Sequence, residues 1–517
     1  MLHRFRQAAP AFFLKPCNIT LRLSLRMLSR ISWQRWDFTA AAHLLNRAGF
    51  GGPPTEIARL VALGPAQAVS YFVDYERVPD SPPNPAWAEP DPERAERLRA
   101  ARDASPEERR KMQQEMQKNQ REHIIELRAW WLRRMASGPR PLQEKMTLFW
   151  HGHFATSAEK VRDAYLMWRQ NDLFRRLATG NWLEMLVAVA KDPAMLIWLD
   201  QAQSRKEHPN ENFAREVMEL FTLGEGHYTE RDVTEAARAL TGWSYDRQDE
   251  DFVERPMWHD RGAKTIFGET GYFNGQDFLE MLVARPQAAR FITAKVWNYF
   301  AGTPPSAELT DALAATFRNG GNNFKPLLRT MFLSEEFYSP SIIRDQVKSP
   351  VQWLVGSVRV LERPLPPPLV CVGLTRNLGQ DLFAPPNVKG WDGGLSWITT
   401  NTLLSRYNEA ATLLQGDVSP ITGGMFANRP NANKQFLRRV SQVRVGGVDV
   451  DKLFTEEERT DASALIPALE RRLLQAKFKP EQEKVLRDYL DGQRGMNEGA
   501  ILNAIRLVMS TPEYQLT

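Results

Sequence analysis

The sequence predicts an all-α protein, a single large helical body with long ordered loops and at most a short β-hairpin near residues 257–270. Three observations predict this. Apolar residues recur at helical spacing, as from Asn210 to Thr222, where Phe213, Val217, Leu220 and Phe221 share one stripe. Short helical segments meet at glycine and proline elbows such as Gly64-Pro65 and Gly224/Gly226. Capping signals open several segments: Ser105-Pro106-Glu107, Thr229 with Asp232, and Lys348-Ser349-Pro350. At 517 residues the chain can bury a sizeable core, and 43% hydrophobic with 25% charged residues is the balance of an ordinary soluble globular protein. No run of about 18 apolar residues exists, so no transmembrane segment is expected.

Residues 1–36 carry seven Lys or Arg and no acid, which more than accounts for the net charge of +5. The remaining chain is slightly acidic, and no nucleic acid is expected as a partner. The segment reads as a disordered tail or a start-site artefact ahead of a working export signal, because Lys15 and Pro16 interrupt its apolar stretch and no small-residue cleavage site follows. The two cysteines, Cys17 and Cys371, cannot build a disulfide framework or a structural zinc site.

Residues 37–517 read as one helical domain with sub-boundaries near 140, 345 and 450. Helices are expected from Asp37 to Ala48, from Thr55 to Leu63, and beyond Gly64-Pro65 to Tyr75. A proline-rich loop covers 79–92, and a strongly charged helical stretch covers 93–135, docking through Ile124, Leu127, Trp130, Trp131 and Met135. Then comes FWHGHF, residues 149–154. His151 and His153 diverge by about 200° on a helix, so they can bind one ion only if the helix ends at Gly152. Otherwise each caps a helix end or bonds a buried carbonyl.

The densest polar stretch is His208 to Trp243. Glu211, Arg215 and Glu219 are spaced as an ion-pair ladder, while Asn212 and Glu216 form a stripe beside the apolar one and are expected to be half-buried. His259-Asp260 follows in a turn or hairpin. RTMFLSEEF at 329–337 matches RLVMSTPEY at 506–514, suggesting a duplicated helical element. The loop 378–397 is rich in Pro, Gly and Trp, residues 416–447 look irregular, and 455–517 return to amphipathic helices.

FWHGHF, NENFAREVMELFTLGEGHYTERDVTEAARALTGW at 210–243, HDRGAKTIFG at 259–268, KSPVQW at 348–353 and LGQDLFAPPNVKGWDGGLSW at 378–397 together resemble the bacterial family called domain of unknown function 1800, from about Ala41 to Thr517. The resemblance implies a mostly helical protein, often exported, and a sulfatase-like partner protein encoded beside it. It implies no activity, cofactor or catalytic set. The compartment is left between a cytoplasmic reading of this N-terminus and the periplasmic or exported one of the family.

Two functional readings stand. In the first, a hydrolase-like enzyme acting on a polysaccharide or other polymer gathers His151, His153, Glu216, His259 and Asp260 into one pocket. Glu216 is base or ligand, His259 and Asp260 share a proton, and Asn212, Trp391 and Trp397 hold the ligand. A divalent metal is compatible with these side-chain types, although no tight motif such as HExxH is present. In the second, the chain is a non-enzymatic helical scaffold or assembly partner whose polar residues tie helices together. That reading expects Glu216→Gln mainly to lower thermal stability.

Overall fold

The computed structural model describes residues 28–80, 82–419, 421 and 434–517. Helices dominate, and their starts follow the capping chemistry. The Asp37 carboxylate accepts from the Ala40 amide to open Phe38–Ala48. Ser105 and Glu108 form a reciprocal capping box on Pro106–Ser137, Thr229 and Asp232 do the same for Glu230–Ala239, and Ser349 caps Pro350–Val360. The helix Pro54–Val73 bends where Gly64 takes a φ of 73° ahead of Pro65.

Two apolar cores result. The first runs from Ile31 through Trp150, Trp182 and Trp297 to Ile342. The second joins Trp130 and Trp131 to the segments from Val351 to Tyr514. The helix Pro141–His153 feeds both, with Trp150 in the first and Leu148 in the second, and every residue from Leu142 to His151 is buried. Such a helix, apolar or hydrogen-bonded all round, belongs at the centre of a body.

Of the basic segment 1–36, residues 1–27 lie outside the described residues. Residues 28–36 correct the expectation of a disordered tail: Ile31 and Trp36 are buried, the Ile31 amide donates to the Leu333 carbonyl, and Trp36 Nε1 donates to Leu60 O. The apolar residues there outweigh the local charge. Two hairpins are present among the described residues. One pairs Lys264–Ile266 with Glu269–Gly271, ending one residue past the span near 257–270 expected for it, and a second pairs Trp243–Asp246 with Asp251–Glu254. The acidic and basic turn of the second hides its alternation in the sequence. In the stretch read as irregular, Lys434–Ser441 is helical, and residues 422–433 lie outside the described residues.

The two similar nonapeptides close their helices alike. Ser334 Oγ donates to Met331 O and accepts from the Phe337 amide, while Thr511 Oγ1 donates to Val508 O and accepts from the Tyr514 amide. Phe337 and Tyr514 are buried in their respective cores.

Candidate functional site

The Pro141–His153 helix continues through Gly152, so His151 and His153 point to different neighbourhoods. His151 is 1% exposed, and its Nε2 accepts from the Phe383 amide at 3.0 Å. Its ring meets Trp131, Phe383 and Trp391 at centroid distances of 5.1, 4.9 and 5.6 Å. Burial, and then the nearby Arg128 guanidinium, push its pKa down to about 3, so the ring is neutral. His153 faces the first core, between Phe149 and Phe154, and its Nε2 donates to the Phe221 carbonyl at 3.1 Å. Burial and Lys295 hold it well below the ordinary histidine range.

That carbonyl lies in the last turn of the opening stretch, which is not a plain α-helix. Asn210 caps a short α-turn, Glu211–Glu216, which widens into a π-helix over Val217–Thr222. The last carbonyls of a helix have no intrahelical donor, and here side chains take them up. His153 bonds Phe221, Lys295 Nζ donates to Leu220 O at 3.1 Å, and Gln287 Nε2 donates to Leu223 O at 3.0 Å. Burial lowers the Lys295 pKa to about 8. Nothing in the spacing at 217–222 signals a π-helix, and neither Lys295 nor Gln287 stands out by sequence.

The widened turn also replaces the expected ladder. Arg215 forms a bidentate pair with Glu230 across the elbow, at 2.7 Å for both bonds, and Tyr228 donates a short hydrogen bond to Glu219. Glu211 accepts from Thr234. Asn212 is exposed, against the expectation of half-burial, because the first turn of this hairpin faces solvent. Glu216 is half-buried and makes no hydrogen bond or ion pair among the described residues. Burial, then the charge of Glu219, raise its pKa, and Lys389 partly opposes them.

The expected effect of Glu216→Gln therefore reverses. A carboxyl whose pKa is raised on folding weakens the fold above its unfolded value and ceases to do so as pH falls through the folded one. At neutral pH the variant is expected to unfold within about 0.5 kcal/mol of wild type, on the stabilised side, as solvent screening of a half-exposed group dictates. Urea denaturation at pH 7 and pH 4.5 checks this; a clear loss at pH 7 would contradict it.

His259 and Asp260 make their contacts elsewhere. The His259 Nδ1 donates to the Thr241 carbonyl at 2.9 Å, and the Asp260 carboxylate is taken by Arg238 at 2.7 Å and by the Gly262 amide at 2.8 Å. The proton-sharing pair expected from their adjacency is not made, because adjacent side chains on this turn diverge. Arg238, which also binds Glu235, and hydrogen bonding hold Asp260 below its ordinary pKa.

The loop 378–397 lies on the end of the FWHGHF helix. Trp391 is half-buried beside His151, Trp397 is buried, and Lys389 acts on Glu216 together with Arg215. Gly390 sits at φ 82°, and a Cβ there would overlap the Gly152 carbonyl oxygen. Gly390→Ala is expected to cost about 1–3 kcal/mol through positive φ and backbone overlap, read as a lowered urea midpoint with unchanged slope. An unchanged midpoint would show that the loop does not depend on this approach.

The nominated groups thus contact three neighbourhoods: His151 with Trp391, His153 with the π-helix, and His259 with Asp260 on Thr241 and Arg238. Among the described residues no three His, Cys, Asp or Glu side chains are grouped so as to hold a metal ion. A wide groove of about 1530 Å³ lies between residues 94–123 and the 243–254 hairpin, and none of the nominated residues lines it. No described helix is long and apolar enough to cross a membrane.

A family model described as "Protein of unknown function (DUF1800)" matches residues 43–516. No curated protein and no solved structure matches the chain.

Proposed function

The chain belongs to the protein family of unknown function DUF1800, and from that premise we propose that it is a non-enzymatic helical scaffold that serves as an assembly partner. One observation carries the reading. The motif side chains that acid-base chemistry would need free are bound to the protein's own backbone or to its arginines: His151 to Phe383, His153 to Phe221, His259 to Thr241 and Asp260 to Arg238. Two of these, His151 and His153, are buried and neutral, the state of core hydrogen-bonding groups and not of proton shuttles.

The surface that offers a partner room is the wide groove between residues 94–123 and the 243–254 hairpin. Seven Lys or Arg line it, among them Arg162, Arg247 and Arg255, against the four acids Glu115, Asp163, Asp200 and Asp246. Arg255 and Arg205 both stack on Trp258, each 5.0 Å from its ring. This suits an acidic stretch of a partner protein. The sulfatase-like partner implied by the family resemblance is the protein to test.

A second reading keeps one observation. Glu216, with its raised pKa and no internal partner, stands near Lys389 and the Trp391 loop as a general acid would. One experiment separates the two. The purified protein is expected to show no turnover on a panel of polysaccharides with or without added Zn²⁺, Mg²⁺ or Ca²⁺, and to bind the sulfatase-like partner with an affinity lowered by Arg247→Glu. Turnover abolished by Glu216→Gln at unchanged melting temperature would overturn the scaffold reading.

A further inference from the structure

A pocket of about 590 Å³ opens between the last turns of Pro106–Ser137, the end of Pro350–Val360 and the start of the helix Pro368–Asn377. It shares no lining residue with the wide groove. Small-molecule sites have volumes of roughly 300–1,000 Å³ and mostly apolar walls. Here Ala129, Val358, Leu365, Pro366 and Pro367 supply such walls.

Local chemistry fixes the shape. A Schellman turn closes Pro350–Val360: the Arg363 amide donates to Val358 O, the Glu362 amide donates to Arg359 O, and Glu362 holds a φ of 45°. Pro364 bars any continuation of the helix. Across the pocket, Arg359 is held by Glu56 at 2.7 Å and by the Ala136 carbonyl at 2.8 Å.

The charges around the pocket do not balance. Its charged lining is Glu56, Arg133, Arg359, Glu362 and Arg363. Both carboxylates are engaged, Glu56 by Arg359 and Glu362 by Arg472. Arg133, exposed at the rim, and Arg363, half-buried, have no ion-pair partner among the described residues. Arg363 donates to the carbonyls of Pro364 and Gly446, and its Nη1 is buried with no acceptor. Burial lowers the Arg363 pKa, and the group that opposes burial is the Cys371 sulfur, not a carboxylate. Arg133 acts on Cys371 as well, so the two guanidiniums converge. Burial still pushes that thiol up to about 12, which makes it a neutral part of the wall.

We propose that this pocket binds a medium-chain fatty-acid anion, its carboxylate paired with Arg133 and Arg363 and its alkyl chain laid against Leu365, Val358 and the prolines. A guanidinium fork matches a carboxylate, and the apolar walls take the chain that follows it. Such a ligand is independent of the scaffold reading, whose partner surface is the wide groove.

The test is isothermal titration of the full chain with octanoate, octan-1-ol and acetate at constant ionic strength. One saturable octanoate site is expected. Octan-1-ol, which lacks the charge, and acetate, which lacks the chain, are each expected to bind at least about tenfold more weakly. Arg133→Gln and Arg363→Gln are each expected to weaken octanoate about tenfold, the worth of one hydrogen bond to a charged group, while the exposed-charge control Lys118→Gln leaves it unchanged. Circular dichroism establishes that each variant is folded; if Arg363→Gln is not, the exposed Arg133→Gln decides. Absence of saturable octanoate binding to the wild type, equal binding of octan-1-ol or acetate, or wild-type affinity in the folded arginine variants overturns the proposal.

Discussion

Glu144→Gln is expected to destabilise the protein by about 3–5 kcal/mol, the cost of breaking a buried charge network by removing one partner. Glu144 is 1% exposed, and its two oxygens accept from Arg134 Nε at 2.7 Å, Arg175 Nε at 2.8 Å and Trp131 Nε1 at 2.9 Å. Both arginines are 3% exposed. An amide returns one acceptor and no charge, and it turns an N–H pair toward two guanidiniums, which are donors only. The network ties the Pro106–Ser137 helix to Pro141–His153 and Ala164–Arg176, so the loss falls on the helix that carries FWHGHF.

The same carboxylate has an acid signature. Burial alone would raise its pKa, but Arg175 and then Arg134 outweigh burial and hold it below the ordinary glutamate value. Its contribution is therefore fully present above an unfolded value of about 4.3 and is lost as pH falls through the lower folded value. In Glu144→Gln that part of the pH dependence disappears. Urea unfolding between pH 7 and pH 3 reads both effects, and a variant within about 1 kcal/mol of wild type at pH 7 would show that the network does not act as a unit.

His153→Ala is expected to cost about 3 kcal/mol at pH 7.5 and less at pH 5. Two terms make up the cost: the space vacated among Phe149, Phe154 and Phe221, and the Phe221 carbonyl left without its donor. The pH dependence follows from the ring being neutral when folded. Because its folded pKa lies below the unfolded value of about 6.5, its contribution is fully present above that value. It declines by about 1.4 kcal/mol per pH unit as pH falls toward the folded pKa. The alanine variant has no such proton, so the gap to wild type narrows with acid.

Only the difference between the two proteins is diagnostic. In the wild type, His43 and His151 add losses of the same sign, while Asp192, raised by burial to about 6, adds a gain over part of the same range. A gap that stays constant from pH 7.5 to pH 5 would mean that His153 is solvated when folded, and would reopen it as an acid-base group.

Much of the fold was legible in the chain. Caps at Ser105, Thr229 and Ser349 act as their residue types require, since a hydroxyl next to free amides needs no distant partner. Gly224 and Gly226 hold φ values of 83° and 78° for an equally local reason. The site was less legible. His151 and His153 could be nominated, but which carbonyl or amide each would meet depended on Phe221 and Phe383, far along the chain. Asn212 and Glu216 looked equivalent by spacing, yet one is exposed and the other half-buried.

By itself the sequence determined the family, the helical class, the helix starts and the turn at the centre of the 208–243 stretch. These rest on contacts within a few residues, where φ preferences and capping bonds act alone. Only the tertiary structure decided that the stretch widens into a π-helix and that its terminal carbonyls go to His153 and Lys295. Burial sets those outcomes. A polar group taken from water must find whatever partner the packing brings to it, and packing is a property of the whole body.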